Sequence, residues 1–188
     1  MSTKYKFRNP DGIYFVTTSV VNWIDVFSRR CYKEIITDSL QYCKTNKGLV
    51  VYAYVIMSNH LHLIVGNRNN ELKFSDIIRD FKKYTAMNIL KSIRENPQES
   101  RKEWMLWMFE RAGKKNGNNT LYQFWQQANH PIELAGNMID QKLEYIHNNP
   151  VNAGWVNEPE EYFYSSARNY AGLESPMKIE SIYDGTEL

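Results

Sequence analysis

Two histidines separated by one residue stand in an otherwise apolar segment of the chain. Residues 60–65 read HLHLIV, a pattern typical of a β-strand. Because strand side chains alternate between two faces, His60 and His62 share one face while Leu61 and Leu63 occupy the other. Two neighbouring imidazoles can bind one divalent cation together with a third ligand from elsewhere. The alternative is a pair of surface histidines without such a role.

A tyrosine and two carboxamides recur at helical spacing late in the chain. Gln141, Tyr145 and Asn149 follow one another at intervals of four residues, so a helix presents them on one side. The pKa of a free tyrosine is about 10, so the phenol needs a nearby metal ion or base to become a useful nucleophile. The alternative for Tyr145 is packing at the margin of the core.

The elements that position these residues follow from hydrophobic periodicity and turn signals. Strands are predicted at residues 13–20, 49–57, 60–65 and 121–126, and helices at 31–46, 74–94 and 136–148. The last helix is expected to stop at Pro150, which would push Asn149 toward extended geometry. Residues 104–111 are predicted to form an insertion, and a loop rich in Gly and Asn comes after it.

The order of these elements predicts an α+β fold. Apart from the last helix it is the ferredoxin-like β-α-β-β-α-β pattern, in which helices cover one face of the sheet and leave the other open. The additional C-terminal helix carries Tyr145, and the two histidines are expected on the open face. The length of 188 residues fits one domain, with a core at about 10–157 and an acidic C-terminal extension at 158–188.

Composition excludes several classes of protein. Hydrophobic residues make up 43% of the chain and charged residues 23%, without an apolar run long enough to cross a bilayer. The N-terminus resembles neither a secretory signal nor an anchor, so a cytoplasmic protein without a membrane partner is expected. Two cysteines are too few for a disulfide framework or a four-cysteine zinc site.

Charge is divided unevenly along the chain. Residues 1–115 carry 20 Lys and Arg against 11 Asp and Glu, whereas residues 116–188 carry 3 against 10, so the two parts sum to +9 and −7. A basic surface of this size attracts polyanions such as nucleic acid, although solvated helix faces give the same count. An acidic C-terminal third that shields a basic cleft is a further hypothesis.

Two segments in a fixed order carry a resemblance to a known family. They are YVIMSNHLHLIV at 54–65 and YIHNNPVNAGWV at 145–156, and residues 159–166 add a third match. Together they resemble the REP-associated tyrosine transposases (RAYT proteins), which are single-tyrosine members of the HUH endonuclease superfamily. The resemblance covers most of residues 10–170.

The resemblance implies a role for each motif residue. His60 and His62 would bind Mg²⁺ or Mn²⁺, which polarises the scissile phosphate of single-stranded DNA. Tyr145 would be the catalytic nucleophile, leaving a 5′-phosphotyrosine and a free 3′-hydroxyl. Asn149 occupies the place of a further metal ligand that is often Gln in related enzymes, and Gln141 is the alternative. The implied partner is single-stranded or hairpin DNA of REP-like repeats, and both a monomer and a homodimer are consistent with the family.

Other residues are candidates for DNA contact. Cations follow the phosphates of a single strand while aromatic side chains stack on its unpaired bases. The predicted contacts are Arg79, Lys82, Lys83, Tyr84 and Lys91 on the second helix, Lys114 and Lys115 on the following loop, and Trp125. Each cation has the alternative of a solvated charge. For His130 the sequence leaves three roles open: a general base, a DNA contact, or a capped loop residue.

The predicted function is a metal-dependent DNA endonuclease and strand transferase, that is, a transposase. One alternative is a catalytically silent DNA-binding protein of the same fold, against which the intact His60, His62 and Tyr145 argue. Another is a metal-dependent nuclease with a water nucleophile, in which Tyr145 is structural. Metal dependence alone does not separate this nuclease from the transposase.

Overall fold

A four-stranded antiparallel sheet organises the chain in the computed structural model, which describes residues 7–68, 71–117, 121–127 and 131–188. The strands are β1 (Ile13–Ser19), β2 (Leu49–Ile56), β3 (His60–Asn67) and β4 (Ile132–Leu134), in the order β2-β3-β1-β4. The helices are α1 (Arg30–Lys47), α2 (Phe74–Glu95), α3 (Lys102–Lys114), α4 (Met138–Asn152) and α5 (Ala167–Tyr170). The α+β class predicted from the sequence is confirmed. None of the helices in these ranges is both long and apolar enough to span a membrane.

One face of the sheet packs against α1 and α2. Leu61 and Leu63 of β3 meet Ile36 of α1 and Phe81 of α2 there, all of them buried. Full burial of such side chains stabilises the folded state by about 1.5–3 kcal/mol each. The predicted alternation along β3 therefore holds, with its leucines toward the helices.

The opposite face of the sheet is covered in part by α4. Phe15, Val55 and Ile64 pack against Leu143 and Ile146 of this helix. The face that was expected to be open from the sequence thus receives the tyrosine helix. The two histidines of β3 lie on this side, next to the helix rather than in open solvent.

The fourth strand lies later in the chain than predicted. Residues 121–126 make a single bridge, Trp125 to Val20, while Ile132–Leu134 pairs with the first half of β1. Phe124 and Trp125 are buried in the helix-side core. A short apolar segment that packs in the core without strand pairing has the same composition as a β-strand. Periodicity alone therefore does not distinguish such a segment from a strand.

Helix α4 continues through Pro150 to Asn152, so the predicted stop before the proline is wrong. Pro150 has no amide hydrogen, but it stands in the last turn, where the chain still closes with Ala153 N–H to the Asn149 carbonyl at 3.0 Å. The side chain of Pro150 is buried. Asn149 is therefore helical rather than extended.

The predicted insertion 104–111 is part of a regular helix, α3. Met105 and Phe109 of this helix are completely buried. Its apolar residues thus anchor it on the core, whereas Trp104 and Trp107 on its other side are exposed.

The acidic C-terminal segment is built into the body of the protein. It runs along the free edge of β2, where Glu180 N–H donates to the Val51 carbonyl at 3.0 Å and Ile56 N–H donates to the Tyr164 carbonyl at 3.0 Å. Ile179 is completely buried. The core thus extends past the boundary near residue 157 that was expected from the sequence.

Candidate active site

His60 and His62 stand side by side on the sheet face that α4 covers. Their ring centroids are 4.8 Å apart. Thr17, the residue opposite His62 on β1, places its hydroxyl 2.8 Å from Nδ1 of His62. Asn59 places its side-chain oxygen 2.7 Å from Nδ1 of His60. In both rings Nδ1 has a partner, which leaves Nε2 for a ligand.

Both histidines are held in the neutral form. Burial lowers the pKa of His62 to about 3, with smaller contributions from the neighbouring charges of His60 and Lys142. Burial also lowers the pKa of His60. A neutral imidazole is the state that binds a metal ion, so both rings are ready for ligation at neutral pH.

Tyr145 reaches this pair from α4. Its ring centroid lies 5.2 Å from that of His62 and 5.9 Å from that of Phe15. Leu143 and Ile146, on either side of it in sequence, are buried and anchor the helix on the sheet. The tyrosine itself is 43% exposed, so a substrate can reach the phenol.

Lys142 completes the group from the preceding turn of α4. Its Nζ lies 5.0 Å from the centroid of the Tyr145 ring and 4.6 Å from that of Phe15. A cation here attracts a phosphate. Lys142 was not among the residues predicted from the sequence, although its spacing of three from Tyr145 places it on the same helix face.

Asn149 and Gln141 flank Tyr145 by one turn on either side. Asn149 is partly buried and Gln141 is exposed, and among the described residues neither side chain hydrogen-bonds to a histidine. The described part of the chain contains no cluster of three or more His, Cys, Asp and Glu suited to a metal ion. A cation held by the two histidines would therefore draw its other ligands from carboxamides, water or the substrate.

The turn between β2 and β3 orients His60. Asn59 donates its amide to Asp25 Oδ1 at 3.1 Å and to the Trp23 carbonyl at 3.3 Å. Ser58 donates its hydroxyl to the same Asp25 oxygen at 2.6 Å. These bonds turn the side-chain oxygen of Asn59 toward His60. From the sequence Ser58 and Asn59 were predicted only as a hairpin connection.

The predicted DNA contacts on α2 are not brought to the histidines, because α2 packs on the opposite face of the sheet. Arg79 is paired with Asp76 and Asp80 at 2.7 and 3.0 Å. Lys82 donates to the Gln126 carbonyl at 2.7 Å, and burial lowers its pKa to about 8. The remaining three, Lys83, Tyr84 and Lys91, are exposed beside α1.

The other predicted contacts have mixed surroundings. Lys114 pairs with Glu110 on α3, and Lys115 is exposed. Trp125 is only 6% exposed, stacks on Phe27 at 5.8 Å and donates its indole N–H to Thr85 Oγ1 at 3.1 Å. As a surface for stacking bases it was predicted wrongly, since its ring fills the core. His130 lies outside the described residues.

The chain is similar to known transposases in part of its sequence and in its fold. The model of the family described as IS200-like transposases matches residues 14–110. The solved structure of a REP-associated tyrosine transposase bound to a REP hairpin superposes with a TM-score of 0.65 at 17% identity, covering 100% of this chain and 99% of the other. A protein from Deinococcus radiodurans R1, described as a transposase, gives a TM-score of 0.46 at 15% identity over 78% and 97% of the two chains. No curated protein sequence matches.

Proposed function

The chain belongs to the IS200-like transposase family, and from this premise we propose that it is a metal-dependent endonuclease and strand transferase of single-stranded DNA. The observation that carries the proposal is the contact of Tyr145 with His62, at 5.2 Å between ring centroids. A nucleophile and a pair of neutral imidazoles meet there on an accessible surface. The similar fold of a transposase bound to a REP hairpin supports hairpin-forming repeats as the substrate.

The histidine pair offers two neighbouring nitrogen donors to a divalent cation, with oxygen donors needed to complete the shell. Nε2 of His60 and of His62 would ligate it, and the oxygen of Asn149 is proposed as a further ligand, with Gln141 as the alternative. Mg²⁺ or Mn²⁺ bound there would polarise the scissile phosphate. Thr17 and Asn59 fix the rings through Nδ1, as outer partners of metal-binding histidines generally do.

Tyr145 performs the covalent step in this proposal. Its oxygen forms a bond to the scissile phosphorus as the bond from phosphorus to the 3′-oxygen breaks, and the leaving oxygen takes a proton to become a 3′-hydroxyl. Lys142 beside the ring attracts the scissile phosphate to the nucleophile. A 3′-hydroxyl that attacks the phosphotyrosine reverses the reaction. Because the number of phosphodiester bonds is conserved, no ATP is needed.

The proposed catalytic residues lie within one chain. Tyr145 and the two histidines come together within a single copy of the protein. We therefore propose that cleavage does not depend on a homodimer in which the tyrosine helix is exchanged.

The test is the formation of a covalent protein–DNA adduct. Labelled hairpin oligonucleotides from the host's own repeats are incubated with the protein and Mn²⁺ or EDTA, and denaturing gels are scored for a shifted band. We expect the adduct with the wild type and Mn²⁺, and none with Tyr145→Phe or EDTA. Tyr42→Phe, an exposed tyrosine on α1, is the matched control and should form the adduct.

The two alternative functions give different results in this assay. Metal-dependent cleavage that persists in Tyr145→Phe would identify a nuclease that uses water. Tight binding without cleavage of any repeat would identify a catalytically silent DNA-binding protein.

A further inference from the structure

A polar groove of about 750 Å³ lies between the turn Val21–Trp23, the end of α3 and residues 123–127. Its lining in the described part of the chain combines carboxamides with cations and includes no carboxylate. These residues are Asn22, Asn116, Gln123, Gln126 and Gln127 together with Arg111 and Lys115.

The groove is joined to the active site by a single short turn. Asn22 lines the groove, and the next residue, Trp23, has its ring centroid 6.1 Å from that of His60. The turn is held by Val21 N–H to the Phe124 carbonyl at 2.8 Å and by Val20 N–H to the Asn59 carbonyl at 2.8 Å. A strand of DNA that leaves the histidines on this side therefore meets Trp23 first and the groove next.

Two residues of this turn have strained backbone conformations, and one of them carries an exposed indole. Asn22 and Trp23 have φ of 55° and 56°, in the left-handed region that favours glycine. Trp23 is nevertheless 57% exposed, so burial of its ring does not compensate for the conformation. Strained residues of this kind collect at functional sites, where the surrounding structure enforces them.

The chemistry of the lining matches unpaired nucleotides. Carboxamides both donate and accept hydrogen bonds and can read base edges, while Arg and Lys bind phosphates. Three of the five carboxamides also hold the groove in shape, since Asn116 donates to Gln123, Gln123 to the Trp125 carbonyl and Gln126 to the Val20 carbonyl. In the described part of the chain Arg111 and Lys115 have no ion pair, in contrast to Arg79 and Lys114. The exposed indole of Trp23, which follows Asn22 of the lining in sequence, offers a surface on which a base can stack.

We propose that this groove binds the unpaired nucleotides next to the cleaved phosphate, with Trp23 stacking on the base between the groove and the histidines. The inference rests on the proposed function, because it presupposes single-stranded DNA at the active site. The groove would thus bind the single strand near the histidines, which the predicted contacts on α2 cannot do from the opposite face of the sheet.

The experiment measures binding in a Tyr145→Phe background, where cleavage does not interfere. Fluorescence anisotropy compares a labelled stem-loop that has randomised single-stranded flanks with the same stem-loop without flanks, over a range of salt concentrations. The variants are Arg111→Gln/Lys115→Gln and Trp23→Gly, since glycine accepts the left-handed backbone. The control, Lys73→Gln/Lys102→Gln, removes the same charge from positions outside the groove, where neither lysine forms an ion pair in the described part of the chain.

The expected results are specific to the flanked oligonucleotide. The parent binds it more tightly than the bare stem-loop. Loss of Arg111 and Lys115 lowers the slope of log K against log salt by about 1.4, since each single-strand phosphate contact contributes about 0.7. Trp23→Gly weakens binding of the flanked form about tenfold, the typical effect of one lost stacking contact. Neither change alters binding of the bare stem-loop, and the control changes neither.

Two outcomes overturn the inference while the proposed function stands. One is a parent that does not distinguish the two oligonucleotides, and the other is a pair of groove variants that keep the parent's affinity and salt slope. A parent that binds neither oligonucleotide contradicts the proposed function as well.

Discussion

Thr17 decides which nitrogen of His62 faces the candidate active site, because its hydroxyl occupies Nδ1 at 2.8 Å. Thr17→Val keeps the shape of the side chain and removes this partner. Loss of such an outer partner typically weakens metal binding about tenfold to a hundredfold. We expect that reduction for Mn²⁺, measured by titration calorimetry without DNA.

Thr45→Val is the matched control for this change, since Thr45 is an exposed residue of α1. It should bind Mn²⁺ as the wild type does. Equal affinity in Thr17→Val would show that the hydroxyl does not orient the ring for ligation.

Lys82 places a cation where the fold disfavours it. Burial lowers its pKa from 10.5 to about 8, so at neutral pH the folded protein holds a charge that the unfolded chain solvates better. The penalty is complete below about pH 8 and disappears as pH rises toward 10.5, where the unfolded chain also loses the proton. Lys82→Met should therefore be more stable than the wild type at neutral pH, by at most about 3 kcal/mol.

Urea unfolding of Lys82→Met and the wild type at several pH values measures this difference, which should shrink as pH rises. The lost hydrogen bond to the Gln126 carbonyl offsets part of the gain, by about 1 kcal/mol. Lys83→Met, at the exposed neighbouring residue, is the control. A difference for Lys82→Met that stays constant across this range would contradict the assignment.

The chemistry-bearing residues were predictable where local pattern alone decides. Period two places His60 and His62 together, whereas the role of Tyr145 stays a prediction that rests on the resemblance. Thr17 was not predictable, because its position opposite His62 depends on how β1 pairs with β3. Trp125 was misjudged because the burial of an aromatic ring depends on residues distant in sequence.

At the scale of the elements, helix α4 is held by the C-terminal segment as well as by the sheet. Nε2 of His147 lies 2.9 Å from Ser166 Oγ, which also accepts the Tyr54 amide at 3.0 Å. Ser166→Ala leaves the buried Tyr54 amide and the partly buried His147 ring without that partner, at a cost of about 1–3 kcal/mol. We expect this loss in urea unfolding, together with less adduct per unit of bound DNA, since Tyr145 is carried by the same helix.

Ser92→Ala on α2 is the control for Ser166→Ala and should leave both quantities unchanged. Full stability of Ser166→Ala would mean that α4 is positioned by its apolar contacts alone. A loss of stability without a loss of adduct would separate folding from the positioning of Tyr145.

The elements with a clear hydrophobic period were predictable from the sequence. The helices α1 and α2 and the strands β1 to β3 lie within a few residues of their predicted positions, because each has a clear period and a turn at its end. The strand β4 is three residues long, too short for a period to form. The segment 121–126 had the composition of a strand but is buried without a full partner.

For the whole molecule, part of the negative charge of the C-terminal third forms ion pairs with cations of the same protein. Among the acidic residues of the C-terminal third, Glu180 pairs with Arg68 and Glu187 with Lys178. Tyr183 donates its hydroxyl to Asp140 at the start of α4. The segment covers the edge of β2 and supports the tyrosine helix, which the uneven charge count could not reveal.

Removal of this segment should therefore destabilise the protein rather than expose a DNA site. Ile179 is completely buried, and Ile179→Ala should lower the free energy of unfolding by about 2–5 kcal/mol, while truncation after Tyr170 should cost more. Leu173→Ala, at an exposed leucine of the same segment, is the control. Urea unfolding and DNA affinity at matched salt are measured together. A truncated chain that keeps its stability and binds DNA more tightly would restore the shielding hypothesis, because the segment would then act on the DNA site and not on the core.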